Sequence, residues 1–180
     1  MDASALTTNP RGIPKAPFID NVDQFVGAPD NVEATLRKFQ EMIAKYKTME
    51  THLTQRRRGL ESKIPEIKKT LDMVHFIMAR ANANEQIITE FEISDTLWVN
   101  AKIENTKAVC LWLGANVMLE YETDEARDLL TEKLDTARLS LDQVKEDLTF
   151  LKEQITTMEV NFSRVHNWDV KMRRESGTSK

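Results

Sequence analysis

The side chains able to do chemistry are few in this chain, and they are scattered. The three histidines, His52, His75 and His166, lie too far apart for a local metal-ligand motif of the His-Glu-x-x-His kind. The single cysteine, Cys110, allows no thiolate cage and no intrachain disulfide. As a nucleophile it would need an activating partner, and a small apolar residue in a buried strand is the simpler role. Gly12, Gly27, Gly59, Gly114 and Gly177 stand alone, so no glycine-rich loop can cradle a phosphate. Arg56-Arg57-Arg58 is a basic run, but successive helical positions point in three directions, which makes it a solvated collar. Asn161-Phe162-Ser163 has the form of a glycosylation acceptor, yet Phe162 sits on an apolar seam. The residue types therefore predict no enzyme, no cofactor and no metal.

One cluster is chemically distinctive without being catalytic. Met158, Val160, Phe162, Val165, Trp168 and Met172 enrich the end of the chain in methionine and aromatic groups. Such side chains adapt to varied apolar surfaces, which suits a binder of non-native polypeptide. The plainer expectation for most of them is ordinary seam packing against Val32–Phe39. Val160 and Trp168 fall outside the seam register, so part of this surface should face outward or into a cavity.

The elements that must position this cluster follow from periodicity. The chain has 180 residues, 30 % of them charged and 41 % hydrophobic, with 5 Gly and 5 Pro. Many charges and few breakers mark a long-helix protein. From Val32 one heptad register runs without a slip. Leu36, Ile43, Glu50, Arg57, Ile64, Leu71 and Met78 fall at a; Phe39, Tyr46, Leu53, Leu60, Ile67, Val74 and Ala81 fall at d. Pro65 lies at b, away from the seam. A second register starts after Thr123, with Leu134, Leu141, Leu148, Ile155 and Phe162 at a and Leu130, Ala137, Val144, Leu151, Met158, Val165 and Met172 at d. Each run covers about 50 residues, roughly 75 Å at helical rise. Apolar residues every 3.5 positions imply helices wound about each other. Two equal runs joined by one compact insert predict an antiparallel two-helix coiled-coil hairpin, mainly α.

The insert, residues 88–122, reads as strand. Leu97, Val99, Ala101 and Ile103 alternate with Thr96, Trp98, Asn100 and Lys102, a period of two. Glu104–Thr106 forms a polar turn. Val109, Leu111 and Leu113 alternate with Ala108, Cys110 and Trp112, leaving that strand apolar on both faces. Gly114-Ala115-Asn116 turns the chain into Val117, Leu119 and Tyr121, and Phe91 and Ile93 can add one more strand at the front. A few short strands with open edges need cover from other chains. The assembly surface is therefore expected at Leu97, Val99, Ile103, Val109, Leu111, Trp112, Leu113, Gly114, Val117 and Leu119.

Four of the five prolines, Pro10, Pro14, Pro17 and Pro29, lie in the first thirty residues. Residues 1–30 are accordingly an extended or disordered arm, although Phe18, Ile19, Val22, Phe25 and Val26 give it something to dock. The organisation expected is arm 1–30, helix 31–87, insert 88–122, helix 123–175 and a disordered tail 176–180. A net charge of -4 argues against nucleic acid as the main partner. No signal pattern opens the chain and its longest apolar run, Ala108–Leu113, is far too short to span a membrane, so a cytosolic location is expected.

Helix, two β-hairpins, helix is the arrangement of α-type prefoldin subunits, which the chain resembles. The stretch Ala108-Val109-Cys110-Leu111-Trp112-Leu113-Gly114-Ala115-Asn116-Val117-Met118-Leu119-Glu120-Tyr121 looks like that family's second hairpin, with its Leu-Gly turn and the Val-x-Leu-Glu strand after it. Gly12-Ile13-Pro14, Ile64-Pro65-Glu66-Ile67-Lys68 and Val165-His166-Asn167-Trp168-Asp169-Val170-Lys171 narrow the resemblance to one member of the family. The chain departs from many α-type subunits at Ser94-Asp95-Thr96-Leu97-Trp98, where they carry a second Leu-Gly-x-Gly turn. The resemblance implies a hetero-hexamer of two α-type and four β-type subunits. Their hairpins would join into an inter-subunit β-barrel from which the coiled coils hang. It further implies ATP-independent capture of unfolded actin, tubulin and other clients at the coiled-coil tips, and delivery to the cytosolic group II chaperonin. On this chain the tips are the start of the first helix and the end of the second, with client contact expected at Phe39, Met158, Phe162, Val165, Trp168 and Met172, and at Phe18 and Phe25 of the arm. The rival expectation is a structural coiled-coil adaptor or tether for one folded partner. A nuclear role and a ubiquitin-ligase contact stay open.

Overall fold

The computed structural model describes residues 8–27, 31–104, 107–175 and 177. The expected turn residues Asn105 and Thr106, and most of the expected tail, lie outside them. Along the chain run α1 (Val22–Val26), α2 (Val32–Asn82), β1 (Ile87–Ser94), β2 (Leu97–Ile103), β3 (Ala108–Gly114), β4 (Val117–Glu122) and α3 (Thr123–Glu175). The chain divides into two compact units, Met1–Arg58 with Leu141–Lys180, and Gly59–Ser140.

In the first unit the front half of α2 pairs with the rear half of α3. Val32, Phe39 and Tyr46 pack with Leu151, Ile155, Met158 and Val165 in one buried cluster. These are a and d positions of the two heptad registers, with Val32 the d position one heptad before Phe39. Their burial supplies the cohesion that helix propensity alone does not. Outside the seam, Lys47 and Glu159 form an ion pair at 2.9 Å, too exposed to matter much for stability. Four further members of the cluster come from the arm: Ile13, Ala16, Ile19 and Val26. The arm is therefore a third strand of this core.

In the second unit the rear half of α2 pairs with the front half of α3. Leu71 and Val74 meet Ala126, Leu130 and Leu134, and Leu111 of β3 reaches into the same cluster. Pro65 lies within α2, which runs through it to Asn82. At that end Asn84 takes a left-handed φ of 53°, and the Asn84 and Glu85 amides donate to Ala81 and Arg80 carbonyls. The expected reach of this helix to residue 87 is thus cut short, because Asn closes helices in that conformation. The Thr123 amide donates to the Lys107 carbonyl, and Asp124 and Glu125 follow in the first turn of α3, where acidic groups suit the positive helix end.

The insert forms two separate antiparallel pairs, β1 with β2 and β3 with β4. In the second, Gly114 pairs with Val117 around Ala115 and Asn116, whose φ values of 49° and 60° are those of a primed hairpin turn. Each hairpin ends in a bulge, between Glu92 and Ser94 and between Trp112 and Gly114.

Candidate functional site

Two surfaces stand out, and the arm builds the first. Its entry is a tight turn in which the Asn9 side-chain oxygen accepts from the Arg11 and Ile13 amides, at 3.1 and 2.8 Å. Gly12 sits in that turn at φ 83°, a conformation glycine adopts freely. Beyond it, Ile13, Ala16 and Ile19 are buried and Val22 is half-buried, while Lys15, Pro17, Phe18, Asp20 and Asn21 face outward. A burial period of three is that of a polyproline II strand, a conformation that Pro14 and Pro17 pre-set.

An extended strand without a sheet leaves its amides and carbonyls unpaired, and a buried unpaired amide is costly. The g positions of α3 supply the partners. Asp147, Gln154, Asn161 and Trp168 recur every seven residues, hence on one stripe of the helix. Asp147 accepts from Asn9 Nδ2 at 2.6 Å and Arg11 Nε at 2.7 Å, and Arg11 also reaches Glu146 at 2.9 Å. The hydrogen bond to Asp147, then that to Glu146, raise the pKa of the Arg11 guanidinium above its ordinary value. Gln154 Oε1 accepts from the Ala16 amide at 2.9 Å, and its Nε2 donates to the Phe150 carbonyl at 3.2 Å. Asn161 accepts from the Ile19 amide at 3.2 Å and donates to the Pro17 carbonyl at 2.7 Å. Trp168 Nε1 donates to the Asp23 carboxylate.

Across the groove, α2 contributes the Tyr46 hydroxyl, which donates to the Pro14 carbonyl at 3.0 Å. Burial pushes the Tyr46 phenol above 10.0. Gln154 is 3 % exposed and Asn161 is fully buried. The arm ends in α1, capped by Asn21 and Gly27, with Phe25 stacked on Phe39 at 6.0 Å between ring centroids. Arg164 lies over the Phe18 ring at 5.2 Å and donates to the Asp20 carbonyl at 2.9 Å.

The residues expected to contact clients divide accordingly. Phe39, Met158 and Val165 are buried in the three-stranded core. Phe162 and Trp168 are half-buried against it, and Met172 is half-buried. Phe18 is 57 % exposed and Phe25 is exposed too, as is Val160. The heptad-spaced polar stripe carries a sequence signal of its own, a period of seven at the g positions, which the apolar a and d positions beside it overshadow.

The second surface is the insert. Leu97, Val99, Ile103, Trp112, Leu113, Val117 and Leu119 are exposed, with Trp98 at 54 % and Trp112 at 60 %. Ile88, Phe91, Ile93 and Met118 are exposed beside them. Val109 and Gly114 are half-buried. Leu111, with the half-buried Val109 beside it, differs from the exposed residues expected at the assembly surface: both pack against the helices and anchor the second hairpin to its own unit.

Among the described residues no helix is long and apolar enough to cross a membrane, and no three His, Cys, Asp or Glu side chains converge as a metal set would. The prefoldin subunit family model matches residues 46–168. Prefoldin subunit 3 of Elsinoe fawcettii is 53 % identical, over 97 % of this chain and 88 % of its own length. Prefoldin subunit 3 of Homo sapiens is 46 % identical, over 94 % of this chain and 87 % of its own. That of Saccharomyces cerevisiae is 40 % identical, over 93 % and 88 %. With a family match across most of the helices and insert, and relatives aligned over nearly the whole length, the chain belongs to the prefoldin family of chaperone subunits, which are not enzymes.

Proposed function

We propose that the chain works in the cytosol as an α-type subunit of a hetero-hexamer with other prefoldin subunits, holding non-native actin, tubulin and other unfolded chains for the group II chaperonin. The observation that carries this reading is the pair of isolated two-stranded hairpins with exposed apolar faces. A lone hairpin is marginal in water, so these strands need neighbours supplied in trans. Client contact falls to the end of the first unit, where Phe18, Phe25, Phe162, Trp168 and Met172 offer aromatic and methionine surface around the arm. Several such weak tips in one particle hold a client through multivalency, without any strong single contact and without ATP. Capping apolar surface on folding intermediates suppresses their aggregation.

The test is native mass spectrometry of the complex isolated from its own cytosol, followed by light scattering of denatured actin diluted into buffer with and without it. A six-subunit particle that suppresses scattering is expected. A one-to-one complex with a single folded protein, and no effect on scattering, would establish the adaptor instead.

A further inference from the structure

We infer that the groove between Tyr46 and the Gln154/Asn161 stripe is a binding site for extended polypeptide, which the chain's own residues 13–26 fill at rest. The inference rests on the chaperone reading and deepens it, by adding a seat beyond the aromatic surface of the tip. Four features of the seated arm define what the groove recognises. Its polar contacts to residues 14–19 go to backbone: the Ala16 and Ile19 amides, and the Pro14 and Pro17 carbonyls. Groups that pair with backbone do not read side-chain identity, as in strand addition to a sheet edge. The side chains it takes in are a branched or small apolar residue at every third position, Ile13, Ala16 and Ile19. Two of the donors and acceptors, Gln154 and Asn161, are side-chain amides held in a nearly water-free site. With the arm away they would face an open groove, ready to pair again with the next extended chain. Finally, the arm is joined to α2 by a short connection, so it competes at millimolar effective concentration while remaining an intramolecular ligand that a second chain can replace.

The class of ligand is thus a non-native polypeptide segment in extended or polyproline II form, apolar at every third residue. A folded protein has few such segments free, whereas an unfolded one presents many. Seating one exchanges the arm's backbone hydrogen bonds for equivalent ones and frees Phe18 and Phe25 with the released arm.

The test uses the full chain assembled with the other prefoldin subunits, and a fluorescein-labelled peptide with the sequence of residues 9–27. The arm is released by Ala16→Asp with Ile19→Asp, and circular dichroism checks that helix content is kept. Anisotropy should show saturable binding to the released variant and binding at least about tenfold weaker to the wild type, the arm acting as resident competitor. Asn161→Ala in the released background should weaken it by about tenfold or more. Reduced, carboxymethylated lactalbumin should displace the peptide. On the unmodified assembly the same unfolded protein should speed hydrogen exchange at the Ala16 and Ile19 amides at least about threefold. No saturable peptide binding, or binding that the unfolded protein does not displace, overturns the inference and leaves the groove a private seat for the arm. Should the released variant lose helix, the exchange measurement decides alone: unchanged Ala16 and Ile19 exchange, while scattering shows that the wild type still protects the unfolded protein, defeats the groove only. Absence of protection altogether defeats the chaperone reading instead.

Discussion

Asn161 carries two hydrogen bonds from a position with no solvent exposure, so it is where a single change should tell most about the arm. Asn161→Ala leaves the Ile19 amide and the Pro17 carbonyl facing a methyl group, a loss of about 1–3 kcal/mol. Hydrogen exchange at Ile19 should accelerate by about tenfold or more, with α2 and α3 amides little changed. Tyr46 adds a pH dependence. Its pKa in the folded chain lies above the 10.0 of an unfolded one, because burial disfavours the phenolate. The neutral phenol's contribution is complete below pH 10 and is lost as pH rises through the raised value, when the group can no longer donate to Pro14. Protection of the arm amides, taken relative to their intrinsic exchange at each pH, should therefore fall above pH 10 in the wild type, and Tyr46→Phe should abolish that pH-dependent fall. At this scale the sequence was only partly legible. That Met158, Val165 and Phe39 are apolar is plain, but an apolar side chain does not announce whether a neighbouring helix or a docked strand covers it. The arm fills the groove with the same residue types that a client would present.

The helices were the most legible elements, since a heptad repeat constrains every position of a long run. The strands β2, β3 and β4 also follow from alternation and from the Gly114 turn. β1 is fainter, because Phe91 and Ile93 alternate with Glu90, Glu92 and Ser94 in only half of its length. The arm was legible as extended from its prolines, while its docking needed a period of three that overlaps no helix or strand signal. The hairpins carry the element-scale prediction. Trp98 and Trp112 are more than half exposed and sit on separate two-stranded sheets, so neither supports its own unit's core. Trp98→Lys with Trp112→Lys should leave helix content and the seams intact, and native mass spectrometry should find the chain outside the complex. Leu111→Lys is different in kind, because Leu111 packs with Leu71 and Leu130. Burying an unpaired ammonium there would lower the stability of the chain itself, by several kcal/mol.

Across the whole molecule, the two units divide the work. One closes its core with a strand taken from its own chain, and the other leaves its strands open for neighbours. The sequence disclosed the second arrangement through a strand apolar on both faces, and the first only through a few apolar residues among prolines. Open hairpins also tie the subunit to supply. A copy made in excess of its partners keeps Trp98, Trp112 and their apolar neighbours in water, and to any quality-control system it looks like the misfolded chains it is proposed to hold. Surplus copies should therefore be cleared as misfolded chains are, so that the abundance of this subunit is expected to follow its scarcest companion and not its own rate of synthesis.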